Sequence, residues 1–301
     1  MKDMKTYCFR IADASFDIEA DFPIEWNPFI LRFLCEEAGD AQYHYRCEAC
    51  RRFPAPKGRV VYRSDDCVVF SDEQGREERL YLMPVYGFPM ILQKETDARN
   101  RMLYLNAELL EIMTRPDNFR IFNALAAEKM LIEHQAFVLH SSFIIQDGMA
   151  ILFTAPSGTG KSTQADLWVR HQQARLINGD RTLIQKQNGV WYGCGFPICG
   201  SSDTCLNEKA PIRAVAYLRQ GMGNTITPLR GSDAVKKIIS EVSINFWNQR
   251  FVNTAANLIE SFCAEVPMVF YSCTKEKDAV ETLKRYLEED NCGAVSASES
   301  D

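Results

Sequence analysis

No run in the 301-residue chain approaches the ~18 apolar residues a membrane-spanning helix needs, so a transmembrane protein is not expected. An excess of positive charge is also lacking. Lys and Arg number 34 against 40 Asp and Glu, for a net charge of −6. That balance argues against a nucleic-acid binder driven by phosphate neutralisation. The first ten residues hold no apolar stretch of signal-peptide length, so the expected location is the cytoplasm. The 11 cysteines are odd in number and scattered, which predicts reduced thiols rather than a disulfide framework. His44-x-x-Cys47-x-x-Cys50 has the residue types of a zinc half-site but no fourth ligand at a recognised spacing, so zinc is not expected. What remains is an ordinary soluble composition, 46% hydrophobic and 25% charged, long enough for two domains or one large one.

The first third alternates with period two. Tyr7-Cys-Phe-Arg-Ile11, Phe16-Asp-Ile-Glu-Ala20, Arg59-Val-Val-Tyr-Arg63, Cys67-Val-Val-Phe70 and Arg79-Leu-Tyr-Leu-Met83 read as strands separated by polar turns. Residues 1–115 are therefore expected to form a β-rich, mostly antiparallel lobe. Arg115-Pro-Asp-Asn118 marks a boundary, and helical spacing of Phe119, Phe122, Leu125, Ala126, Lys129 and Met130 predicts a linking helix over 116–136. From 137 to 290 the pattern becomes strands alternating with helices, which predicts an α/β domain. Asn188-Gly189 between two apolar runs predicts a hairpin. Helices are expected near 232–242 and 275–288. The small polar residues from 291 to 301 predict a flexible tail.

Chemistry concentrates in Ala155-Pro-Ser-Gly-Thr-Gly-Lys-Ser-Thr163, which matches the phosphate-loop pattern G-x-x-x-x-G-K-[ST] with Ala155 in place of the first Gly. Gly158 and Gly160 permit backbone angles that turn successive N–H groups into one concavity. A helix beginning at Lys161 adds its positive dipole end. Lys161 supplies a mobile charge for the β- and γ-phosphates, and the Ser162 hydroxyl can complete a Mg²⁺ shell. The expected nucleotide-binding set is Ser157, Gly158, Thr159, Gly160, Lys161, Ser162 and Thr163, with ATP and Mg²⁺ as the implied ligands.

A second element is Leu176-Ile-Asn-Gly-Asp180-Arg181, an apolar strand with an acidic residue at its carboxyl edge, where ligands of open α/β sheets bind. Asp180 has the chemistry to hold Mg²⁺ or to accept the proton of an attacking hydroxyl. The alternative is a solvated turn aspartate. Arg181 has the geometry to clamp a phosphate or to stand free at the surface.

From His140 through Lys161 to Arg181 the chain resembles the catalytic domain of HPr kinase/phosphorylase, which shares its nucleotide-binding core with the ATP-dependent phosphoenolpyruvate carboxykinases. In that family a His precedes the strand leading into the phosphate loop, and His140 stands in that order here. The resemblance implies that His140 lines the site with Asp180 and Lys161. It implies a P-loop kinase domain of the HPr kinase/carboxykinase type behind a β-rich lobe, and Mg-ATP-dependent phosphoryl transfer to a hydroxyl. The family's pair of aspartates is a single Asp180 here. Pro156 and Thr163 replace two of its acidic positions, and 245–250 has one Arg, Arg250, without the family's Arg-rich signature. Those departures argue against HPr as acceptor and against reverse phosphorolysis, and look more like the divergent kinases of this fold found beside peptide-modification genes.

The acceptor is then a Ser of a small protein or peptide, or a small molecule; a homo-oligomer stays open. The alternative function is a non-catalytic ATP-binding regulatory module, favoured by the loss of one aspartate. Carboxykinase-like lysis ranks last, since no ligand set for an organic acid stands out. The loop Gly193-Cys-Gly-Phe-Pro-Ile-Cys-Gly-Ser-Ser202 invites close backbone approach to a ligand, and Asn207 and Glu208 follow it.

Overall fold

Strand alternation dominates the first half of the chain. The computed structural model describes residues 4–35, 41–117 and 119–295. It divides into two compact units, Met1–Leu131 with Phe246–Asn248, and Ile132–Asn245 with Gln249–Asp301.

The first unit is built on eight strands: β1 (Lys5–Ile11), β2 (Ala14–Ala20), β3 (Tyr43–Cys50), β4 (Arg59–Arg63), β5 (Cys67–Ser71), β6 (Glu77–Leu82), β7 (Pro89–Glu95) and β8 (Asn100–Asn106). They form one sheet in the order β1-β2-β3-β8-β7-β6-β5-β4. Neighbours are antiparallel except β2 with β3 and β3 with β8, which are parallel. Period-two alternation sends Phe9, Phe16, Ile18 and Tyr45 into the core, where the rings of Phe9 and Phe16 stack. Short helices α1 (Pro28–Leu31), α2 (Leu110–Met113), α3 (Arg120–Asn123) and α4 (Ala127–Glu133) complete the connections.

The expected linking helix over 116–136 is instead the pair α3 and α4. Ala126 adopts a φ of 53°, outside the right-handed helical region, and breaks the run. Most of α4 is tied to the first unit by charge. Arg79, 5% exposed, lies between Glu77 (2.8 Å) and Glu128 (2.6 Å). Lys129 reaches Glu95 at 2.6 Å and Glu77 at 3.3 Å. Asn118 of the expected boundary lies outside the described residues.

The second unit contains β9 (Ala136–Gln146), β10 (Met149–Thr154), β11 (Arg175–Asn178), β12 (Arg181–Gln187), β13 (Val190–Cys194), β14 (Lys209–Gln220), β15 (Thr225–Pro228) and β16 (Met268–Cys273). Its helices are α5 (Lys161–Gln172), α6 (Gly231–Ile239), α7 (Gln249–Glu265) and α8 (Lys277–Val295). The path is β10-β9-β12-β13-β14-β16-β15, with β11 against β9. A parallel pairing of β10 with β14 closes β10, β9, β12, β13 and β14 into a ring. Phe143, Leu152, Ile184 and Trp191 share a core with Ile259 and Phe262 of α7. Ile151 and Phe153, on the other face of β10, pack with Trp168 of α5 and Leu283 of α8. Asn188 (φ 49°) and Gly189 (φ 81°) form the hairpin turn between β12 and β13.

Residues 291–295 of the expected tail are helical, since α8 runs through Val295; residues 296–301 lie outside the described residues. No described helix is long and apolar enough to cross a membrane.

Candidate active site

The segment 149–172 folds as strand, loop and helix, β10 leading through loop 155–160 into α5. Gly158 (φ 78°) and Gly160 (φ 114°) take backbone angles that L side chains rarely adopt, and a Cβ at either would meet no atom within 4 Å. The loop thus has open space on the side where its glycines lie. Lys161 is 7% exposed, and its ammonium donates to the carbonyls of Ala155 (2.8 Å) and Pro156 (3.3 Å). Burial lowers the Lys161 pKa, and the nearby charges of Glu241 and Asp180 push it back up. Thr159 Oγ1 donates to Pro156 O at 2.8 Å within the loop. The amide of Gln220, at the end of β14, donates to the carbonyls of Gly158 (3.2 Å) and Thr159 (3.3 Å).

The β11–β12 turn lies against the first turn of α5. Ser162 Oγ donates to Gly179 O at 3.4 Å, and Ser142 Oγ donates to the same oxygen at 2.8 Å. Gly179 has no room for a side chain: a Cβ would stand 2.2 Å from Ser202 Cβ. Asn178, fully buried, organises the turn. Its Oδ1 accepts from the amides of Asp180 and Arg181, both at 2.9 Å. Its Nδ2 donates to Phe196 O (2.8 Å) and Ile198 O (3.0 Å), fastening the following loop. Replacing Asn178 by Ala strips partners from four backbone groups. We expect a loss of roughly 2–4 kcal/mol, read as a lower urea midpoint.

This turn aims Asp180 at His140 on β9. Register pairs Arg181 with His140, and the amide of Ser141 donates to Asp180 O at 3.0 Å. His140 Nε2 lies 3.5 Å from Asp180 Oδ1, and Nδ1 lies 3.3 Å from Glu241 Oε2. Both ring nitrogens therefore face carboxylates. The Asp180 pKa is lowered, first by the His140 hydrogen bond and then by Arg181, whose Nε stands 3.3 Å from Oδ2. Its folded pKa being depressed, Asp180 contributes stability above the ordinary carboxylate range, and this is lost as pH falls below about 4. Thermal unfolding of wild type and Asp180→Asn should therefore converge at acidic pH.

Val138, His140, Asp180, Arg181 and residues 240–243 line a cavity of about 250 Å³. Glu241 is the member that the sequence reading missed. It is 8% exposed, and its backbone oxygen accepts the His140 amide at 2.8 Å. A signal was available. Ala234, Ile238 and Glu241 stand at i, i+4 and i+7, so an acid occupies the apolar side of that spacing.

Other expected residues separate from this group. Arg175 bonds Glu208, leaving Glu208 in a surface pair. In loop 193–202, Gly195 packs against the backbone of Leu206 and Gly200 against the Asp180 carboxyl, where a Cβ would stand 2.8 Å from Cγ. The loop glycines thus serve internal packing beside Asp180. The residues of the zinc-like pattern are split by strand alternation: on β3, Cys47 is buried while His44 is exposed and bonds Asp17 at 2.8 Å. Burial pushes the Cys47 thiol up to about 12. Among the described residues, no group of three or more His, Cys, Asp or Glu is placed to hold a metal ion.

Residues 119–266 match the family model described as SynChlorMet cassette protein ScmC. That match spans the whole of β9 through α7 and includes the loop, Asp180, His140 and Glu241. No curated protein matches the chain. Among solved structures, the Hpr(Ser) kinase/phosphatase from Coxiella burnetii is similar at 16% identity, over 55% of this chain and 99% of that chain, with a TM-score of 0.33.

Proposed function

We propose that the second unit is an ATP-dependent phosphotransferase acting on a hydroxyl. One observation carries this reading: the first turn of α5, directly after loop 155–160, touches the Asp180 turn, Ser162 Oγ donating to Gly179 O at 3.4 Å. This contact supports treating the loop and the Asp180 turn as parts of one site. Open space at Gly158 and Gly160, a buried ammonium and a helix N-terminus fit an anionic phosphate chain. Ser162 and Asp180 supply hard oxygen donors for Mg²⁺, which when bound neutralises phosphate charge.

The roles of the chain's own groups follow. Lys161 releases the Ala155 and Pro156 carbonyls to pair with phosphate oxygens. Asp180 orients the acceptor hydroxyl and takes up its proton. His140 steadies the Asp180 carboxylate, and Glu241 holds the opposite ring nitrogen. The cavity beside Asp180 admits the acceptor's hydroxyl-bearing group, a Ser side chain of a protein or peptide or a small molecule.

Incubation with Mg-ATP labelled in the γ-phosphate tests the reading. The expected result is ADP release with label moved to water or to an added acceptor. Tight ATP binding without any transfer would support a regulatory module instead. Mg-ATP at a hundred times its Kd should also stabilise the fold by about 2.7 kcal/mol, seen as a higher melting temperature. Glu241→Gln keeps the shape but removes the charge facing His140 Nδ1. We expect it to slow transfer severalfold and to shift the pH–rate profile, while ATP affinity changes little.

A further inference from the structure

The first unit leaves one sheet edge open. β4 ends the strand order and pairs with β5 alone. Among the described residues, no other backbone hydrogen bond reaches it. Arg59, Val60, Tyr62 and Arg63 are exposed, and Val61 is half-buried. Its register against β5 shifts between Val60 and Tyr62, a bulge at Val61 that bends the strand, so the N–H and C=O groups on its outer side offer a short, bent template for one more strand. Tyr62 packs against Trp247 with ring centroids 4.4 Å apart and planes tilted by 30°, which steadies the strand.

The charged side chains of β4 itself, Arg59 and Arg63, are both basic. Segment 51–63 carries Arg51, Arg52, Lys57, Arg59 and Arg63 and no acidic residue, in a chain of net charge −6. All five side chains are exposed. Among the described residues none of the five is in an ion pair. Asp65 and Asp66 sit in the turn that follows, where Asp66 accepts from Ser64 Oγ at 2.6 Å, and Glu78 accepts the Lys57 amide at 3.2 Å. A second copy of β4 is a poor occupant, because antiparallel pairing would bring Arg59 and Arg63 of the two copies together. A strand bearing carboxylates has the complementary charge and satisfies the same backbone groups.

We propose that the open edge of β4 binds an extended acidic polypeptide by strand addition, with Arg59 and Arg63 pairing its carboxylates. Docking there needs neither ATP nor Asp180, so its success or failure is read separately from phosphoryl transfer.

The test is fluorescence anisotropy of the full chain with a labelled 12-residue peptide in which Glu alternates with Thr or Val. Saturable binding that weakens with salt is expected. The double variant Arg59→Gln/Arg63→Gln, changed only at exposed positions, should weaken it tenfold or more. Methylating alternate backbone nitrogens of the peptide should weaken it as much, with no change to the protein. Lys161→Ala should leave it unaltered. Absence of saturable binding overturns the proposal. So does an N-methylated peptide that binds as well as its parent, or a double variant of wild-type affinity. Tighter binding of a single-stranded oligonucleotide of equal charge, lost in the same variant, would make the edge a general polyanion patch and also overturn it.

Discussion

Asp180→Asn is expected to lower phosphoryl transfer by about 10²-fold or more while leaving ATP affinity nearly intact. Asn is nearly isosteric and can still accept a hydrogen bond from His140. It carries no charge and is a far poorer base. The turn itself is held by Asn178 and Ser142 rather than by the Asp180 side chain, so the backbone should stay in place. The readout is ADP production under saturating Mg-ATP, first with water and then with an identified acceptor. A mutant as fast as wild type would make Asp180 a turn residue and remove it from the chemistry. Some loss of Mg²⁺ dependence is compatible with the assignment, because the same carboxylate is proposed to hold the ion.

Lys161→Ala is expected to weaken Mg-ATP binding tenfold or more, since a charge-assisted phosphate contact is worth roughly 1.5–3 kcal/mol. The same change should not harm the empty protein. Lys161 sits where burial opposes its charge, and its bonds are to two loop carbonyls. Its folded pKa is depressed, so the charged ammonium costs stability at neutral pH, and the cost fades as pH rises through that pKa. Removing the charge relieves that cost, and losing the two hydrogen bonds offsets it. Calorimetry on both proteins measures affinity, and urea denaturation without nucleotide measures the fold. Unchanged affinity in Lys161→Ala would mean that loop 155–160 is not the nucleotide site.

Local signals carried most of what could be read beforehand. The strand, the two left-handed glycines and the helix of 149–172 lie within one short stretch, so pattern and geometry agree. Asp180 was legible for the same reason, as an acid just beyond an apolar strand. For Glu241 the spacing with Ala234 and Ile238 signals burial but not its partner, because it meets His140 across 101 residues and only the fold brings them together. Strands β3, β7 and β8 hide their alternation, because polar residues on them, among them Arg101 and Gln93, are buried inside the first unit. The single linking helix failed at Ala126, where nothing in the residue type announces a left-handed backbone. Phe251, Ala255, Ile259 and Phe262 mark the apolar face of α7 at helical spacing.

The tripeptide Phe246–Asn248 belongs to the first unit although it is threaded between α6 and α7 in sequence. Asn248 donates to Glu77 at 2.8 Å, and the Trp247 ring lies against Tyr62 and over the Arg79 guanidinium at 5.5 Å. The polypeptide therefore passes between the units three times, at 131/132, 245/246 and 248/249. No single cut in the backbone yields both halves whole. A fragment ending at Leu131 lacks the ring that packs against Tyr62 and a donor for the buried carboxylate of Glu77, and gene dissection has to respect that interlaced connectivity.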